Sequence, residues 1–101
     1  MGDAGSAHAR FRRALLTGNV TIIDAAVREL PTISLDDALR VLVVLAEKGD
    51  PRYERAAARF AARVTLERRL RPAEAYQVLA LAQSLPESPE AVTSLLRAFV
   101  A

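Results

Sequence analysis

The sequence predicts an all-α fold of about six helices, and three observations carry that expectation. Apolar residues recur at helical spacing, and no segment alternates apolar with polar residues as a half-buried strand does. Turn and cap residues punctuate the chain at Gly18-Asn19, Pro31, Gly49-Asp50-Pro51, Pro72, Pro86 and Pro89. Hydrophobic residues make up 51% of the chain but aromatic ones only 5%, so alanine, leucine and valine dominate a composition suited to closely packed helices.

Each element follows from its start and stop signals. Residues 1–6 read as a flexible tail, and Ser6 as the cap of a first helix reaching about Thr17. Gly18-Asn19 breaks that helix, because both residues tolerate left-handed backbone. Thr21 with Asp24 three residues on is a capping-box-like start for a second helix. Its residues Ile22, Ile23, Ala26, Val27 and Leu30 keep helical spacing up to Pro31. Ser34 with Asp37 repeats the signal for a third helix, which stops at Gly49. Asp50-Pro51 opens a fourth, with an acidic cap and proline at the first helical position, that reaches about Arg69. Pro72 opens a fifth, with Glu74 in its first turn, and Pro86 ends it after Leu85. Ser88-Pro89-Glu90 opens a sixth that runs nearly to Ala101.

These helices are expected to form a single domain over 7–101, as three antiparallel hairpins at about 7–30, 35–69 and 72–100. The turns repeat: aligning Gly18 with Gly49 pairs Ala25-Ala26 with Ala56-Ala57 and Arg28 with Arg59. The third and fifth helices also align, with Ala38, Val41 and Leu42 against Ala75, Val78 and Leu79. A degenerate repeat of ~31–38 residues predicts hairpins stacked as a short solenoid-like array. A non-repeating bundle is the alternative. The array resembles tetratricopeptide-like repeats loosely, without their signature aromatic and glycine positions. The third helix is apolar on almost every side from Val41 to Ala46, which predicts burial among the second, fourth and fifth. The fourth carries Tyr53, Ala57, Phe60 and Val64 on one stripe. The sixth, with Val92, Leu95, Leu96 and Phe99, reads as a terminal cover.

The net charge of +2 hides an uneven distribution. Residues 1–33 carry +1, 34–50 carry −2, 51–71 carry +5 and 72–101 carry −2. Thirteen of the fourteen basic residues are arginine, and Arg52, Arg55, Arg59 and Arg63 fall on one face of the fourth helix. Only Glu67 is placed on that helix to meet one of them, Arg63. Like charges one turn apart cost ~0.2–0.5 kcal/mol per pair, so an offset is expected. Three sources are open: Asp36, Asp37 or Glu74 on adjacent helices, an acidic protein partner, or nucleic-acid phosphate. The residues between these arginines are alanines rather than side chains that read base edges, which argues against sequence-specific recognition. Arg68, Arg69 and Arg71 are accounted for by the dipole at the helix end. Arg10, Arg12 and Arg13 read as solvated. Val43 sits on a third-helix face with Asp36, Arg40 and Glu47, either as an isolated surface valine or beneath a partner chain, a second copy included.

Catalytic chemistry has few footholds. His8 is the only imidazole and falls near the tail, and there is no cysteine for a thiolate metal site or a disulfide. Ser34 and Ser88 read as caps, and Asp36-Asp37 as first-turn acids that point apart. The four glycines are scattered, so no phosphate-binding loop is formed. Tyr53 and Tyr76 read as half-buried packing residues. No enzyme activity, cofactor or metal is expected. No apolar run approaches the ~20 residues of a membrane span, and the N-terminus has neither the apolar core nor the charge of a signal peptide, which predicts a cytoplasmic protein. Gly2 with Ser6 superficially fits a myristoylation pattern. Against it, arginine in place of lysine and abundant alanine suit a high-GC bacterial genome.

The stretch Phe11 to Glu67 resembles small uncharacterised helical proteins of high-GC actinobacteria. The likeness rests on Leu15–Gly18–Asn19, Arg28-Glu29-Leu30-Pro31, Leu35-Asp36-Asp37-Ala38-Leu39 and Gly49-Asp50-Pro51-Arg52-Tyr53-Glu54-Arg55-Ala56-Ala57. It implies a helical fold and brings no activity or site residues with it. The sequence therefore reads first as a non-enzymatic protein-interaction module using Arg52, Arg55, Arg59 and Arg63, with Val43 as a further contact. A small nucleic-acid-associated protein binding phosphate non-specifically through the same arginines is the alternative.

Overall fold

The structure, a computed structural model, describes residues 3–101, with side chains from Ser6 onward. Met1 and Gly2 of the expected tail lie outside the described residues. The fold is all-α: α1 (Asp3–Thr17), α2 (Val20–Arg28), α3 (Leu35–Glu47), α4 (Tyr53–Arg68), α5 (Pro72–Gln83) and α6 (Pro89–Val100). Contacts divide the chain into two units, Met1–Ser34 and Leu35–Ala101.

The first unit is the hairpin of α1 and α2. Helix α1 already begins at Asp3, so Ser6 lies inside it rather than at its cap, and the expected tail at 3–6 is helical. His8, expected near a tail, is half-buried in α1 and accepts a hydrogen bond from Arg12 Nε at 3.1 Å. Gly18 turns the chain with φ of 63°, where a side chain would be strained. The cap of α2 is Asn19, not Thr21: its Oδ1 accepts from the amides of Thr21 at 3.0 Å and Ile22 at 3.2 Å. Asn19 can adopt the extended cap conformation two residues earlier, which leaves Thr21 and Asp24 in the helix body. The amides of Glu29 and Leu30 close onto Ala26 and Val27 in tighter i→i−3 turns, ending α2 before Leu30. Phe11 and Ala14 of α1 and Ile23 and Ala26 of α2 are buried. Beyond them, Arg10, midway along α1, and Glu29, the cap residue at the end of α2, form an ion pair at 2.6 Å.

The second unit joins α3 to α6 in a closed ring. Helix α3 packs on α4, α4 on α5, α5 on α6, and α6 back on α3. A stack of repeated hairpins would instead place α3 against α5, a contact the described residues do not make. Over 35–101 the expected hairpins α3–α4 and α5–α6 are both formed, and they close as a bundle rather than a repeating stack. Helix α3 thus has α4 and α6 as neighbours within its unit rather than α5. The reason lies in the faces. α3 buries Leu35, Leu39, Leu42 and Leu45, whereas α5 buries Val78 and Ala82, with Leu85 just beyond its end. Aligned as a repeat, Leu39 would correspond to Tyr76, which is 74% exposed. The similarity of the two helices is one of composition, and their buried stripes are out of register.

Turn chemistry sets the corners of the ring. At the end of α3 the Asp50 amide donates to the Leu45 carbonyl and the Gly49 amide to the Ala46 carbonyl, around Gly49 at φ of 60°. Asp50 then caps a single turn: its Oδ1 accepts from the Arg52 amide at 2.8 Å, and its carbonyl accepts from Tyr53. Regular helix starts at Tyr53, two residues later than the Asp50-Pro51 signal suggests. Helix α4 ends with Arg69 in the left-handed region, φ 51°, where glycine is the usual occupant. At α5, Glu74 Oε1 accepts from the Arg71 amide at 3.0 Å, and the helix gives way to turns at Ser84, before Pro86. Tyr53, Ala57, Phe60 and Val64, the predicted stripe of α4, are all buried, and Tyr53 donates its hydroxyl hydrogen to the Ala82 carbonyl of α5. The α6 face differs slightly from expectation. Val92, Leu96 and Val100 are buried and Phe99 half-buried, while Leu95 points outward.

Candidate interaction surface

Helix α4 buries one side completely, and this positions everything on the other. With Tyr53, Ala57, Phe60, Ala61 and Val64 inward, the helical repeat places Arg55, Arg59, Ala62 and Leu66 on the outward side. These four are exposed, spaced 4, 3 and 4 apart, and form a continuous stripe. Leu66 is 79% exposed, a large apolar side chain at one end of the stripe. The sequence reading singled out the arginines and passed over Leu66, although the same spacing continued past Arg59 would have found it.

The four predicted arginines separate into two kinds. Arg52 is paired with Asp50, its Nε 3.1 Å from Oδ1, and its guanidinium also holds the Asp50 carboxyl below the usual range of 3.8. The largest cause is that side-chain hydrogen bond, followed by the bond from the Arg52 amide. Arg63 is paired with Glu67 one turn on. Arg55 and Arg59 are exposed and have no acidic partner among the described residues.

The acids expected from adjacent helices are engaged elsewhere. Asp36 Oδ2 binds Arg40 Nε at 3.1 Å. Asp37 is 3% exposed, with Oδ1 4.0 Å from the same Arg40 Nε. Glu74 caps the first turn of α5. Among the described residues, an intramolecular salt-bridge ladder along α4 is therefore not made. Val43 lies on α3, half-buried, beside the half-buried Asp36 and the exposed Arg40 and Glu47. It is outside the α4 stripe and keeps part of its surface open.

Two further residues change role. Arg68, accounted for from sequence by the end of its own helix, reaches instead to the end of α6. Its guanidinium donates to the carbonyls of Phe99 at 3.0 Å, Val100 at 2.9 Å and Ala101 at 3.2 Å. Those are carbonyls that a helix C-terminus leaves without intrahelical partners. Only the α4–α6 contact brings them together, so no spacing in the sequence signals it. Tyr53 is buried while Tyr76 is exposed; burial pushes the Tyr53 phenol above its usual value, opposed in part by a hydrogen bond with the Leu85 backbone.

Among the described residues no group of three or more His, Cys, Asp or Glu is placed to hold a metal ion, and no helix is long and apolar enough to cross a membrane. Comparison of the chain with protein-family models, with curated proteins and with solved structures found no match.

Proposed function

We propose that this protein is a non-enzymatic interaction module that binds an acidic segment of a partner protein through the outward stripe of α4. The observation that carries the reading is the pair Arg55 and Arg59, without acids among the described residues while Asp36, Asp37 and Glu74 are committed to other groups. Two like charges one turn apart stabilise the helix only when a counter-charge arrives. Arginine suits that role, because its planar fork grips a carboxylate bidentately and is only weakly hydrated. Ala62 and Leu66 continue the same stripe and favour a protein over a phosphate backbone, since an apolar neighbour adds affinity only where the partner buries it.

The test is charge reversal. Arg55→Glu with Arg59→Glu is expected to abolish capture of the partner from extracts of the native cell, and Leu66→Ala to weaken it. Both sites are exposed, so circular dichroism should show unchanged helicity. Capture that survives the double reversal removes the assignment. A gel-shift at low salt separates the phosphate alternative: DNA or RNA affinity with a steep log–log salt dependence, lost in the same double variant, would replace the proposal.

A further inference from the structure

A second surface lies in the first unit, on elements that share nothing with α4. An open groove of about 400 Å³ runs between α1 and α2. Helix α1 lends it four residues at i, i+3, i+4 and i+7 from Arg10, and α2 with its cap residue Glu29 lends four at the same spacing from Ile22. Two antiparallel helices that line a groove at this spacing present matched ridges on either side, the geometry into which a third helix packs. The floor is apolar and shallow: Ala14 and Ala25 are small, and Ile22 remains 46% exposed.

The polar groups at the rim select the occupant. Arg10 is already neutralised by Glu29 at 2.6 Å. The Thr17 hydroxyl donates to the Ala14 carbonyl at 2.6 Å. Arg13 is exposed and has no acidic partner among the described residues. The lining therefore carries one uncompensated positive charge beside an apolar floor. A single cation does not make a phosphate-backbone site, which draws its affinity from several. A small-molecule pocket would enclose its ligand and aim polar groups at it, and this groove is open along one side.

We infer that the α1–α2 groove docks an amphipathic helix of a partner protein, which lays an apolar side chain against Ile22, Ala14 and Ala25 and sets a carboxylate against Arg13. The inference is independent of the α4 stripe.

The probe is a cross-linked helical peptide of about 15 residues, long enough to hold four turns, with leucines at i, i+4 and i+7 and flanking glutamates. It is titrated into the full isotope-labelled chain. Amide shifts are expected at Arg13, Thr17, Ile22 and Ala25. Arg13→Glu should weaken binding about tenfold, and a peptide with lysine in place of glutamate should recover it on that variant. Binding should survive Arg55→Glu with Arg59→Glu, so failure here is distinct from failure of the α4 reading. The inference is overturned if the peptide fails to bind at millimolar concentration, if Arg13→Glu leaves affinity unchanged, or if the shifts map outside the groove. It is equally overturned if these amides shift with protein concentration alone, which would assign the groove to a second copy.

Discussion

Arg69 occupies a backbone conformation that costs a residue with a Cβ about 1–2 kcal/mol, and glycine much less. Its amide and that of Leu70 both bond the Thr65 carbonyl, so the strain is the condition for closing α4 and starting the turn to α5. Arg69→Gly is accordingly expected to stabilise the protein by about 0.5–1 kcal/mol after the entropy of the unfolded glycine is counted. A rise in the urea midpoint at unchanged slope reads it out; a fall would show that the arginine side chain contributes more than the strain removes. Tyr53 is the second residue whose role is local and measurable. Tyr53→Phe leaves the buried Ala82 carbonyl without its hydroxyl donor and should cost about 1–2 kcal/mol. The phenol also carries a pH signature. Burial raises its folded-state pKa above 10.0, so the unfolded chain loses that proton first. The stabilisation is complete below pH 10.0 and is lost as pH rises through the folded value. The extra alkaline destabilisation should be absent in Tyr53→Phe, and identical alkaline profiles for the two proteins would contradict the buried phenol.

At the scale of the element, Arg68 is a cap lent by one helix to another. Arg68→Ala should fray the last turn of α6, with amide exchange accelerating at 98–101 and a stability loss of about 0.5–1 kcal/mol, small because the group is exposed. Unchanged exchange there would mean the carbonyls are served equally well by water. The contrast with other termini shows what the sequence could and could not disclose. Pro72 with Glu74, and Pro89 after Ser88, are local signals and mark their helices to within a residue. Thr21 and Asn19 are both competent caps, and the choice between them depends on how Gly18 delivers the chain, which spacing does not encode. The buried stripe of α4 was legible because Tyr53, Phe60 and Val64 are large against a background of alanine. The relation of α3 to α5 was not. Both helices are rich in leucine, alanine and valine, and which of those residues turn inward is decided by the neighbour each helix meets. The arginine stripe was legible from its 3–4 spacing, and Arg63–Glu67 from one further turn. Whether distant acids reach Arg55 and Arg59 is a tertiary question, answered only once Asp36, Asp37 and Glu74 are seen with other partners.

At the scale of the whole molecule, charge and core are distributed differently. The four helices from Leu35 to Ala101 close on themselves in a ring, and α4 and α6 also meet across it. A chain of residues 34–101 is expected to fold without the first unit, with helical circular dichroism and a cooperative thermal transition. A shallow, non-cooperative melt would show that the ring needs residues 1–33. The near-neutral net charge of +2 is a poor description of such a protein, because the +5 of residues 51–71 is only partly cancelled where it sits. Asp50 balances Arg52, Glu67 within the segment is taken up by Arg63, and Arg55 and Arg59 face outward with no acid beside them among the described residues.

The two tyrosines have an optical consequence. The chain has no tryptophan, so its near-ultraviolet emission comes from Tyr53 and Tyr76 alone. One ring is sealed between α4 and α5 and the other stands in solvent on α5. A soluble quencher such as acrylamide should extinguish one population and spare the other, and the spared signal reports the α4–α5 seam. Opening of that seam can thus be timed in the unlabelled native chain by watching the protected fraction of its own fluorescence disappear.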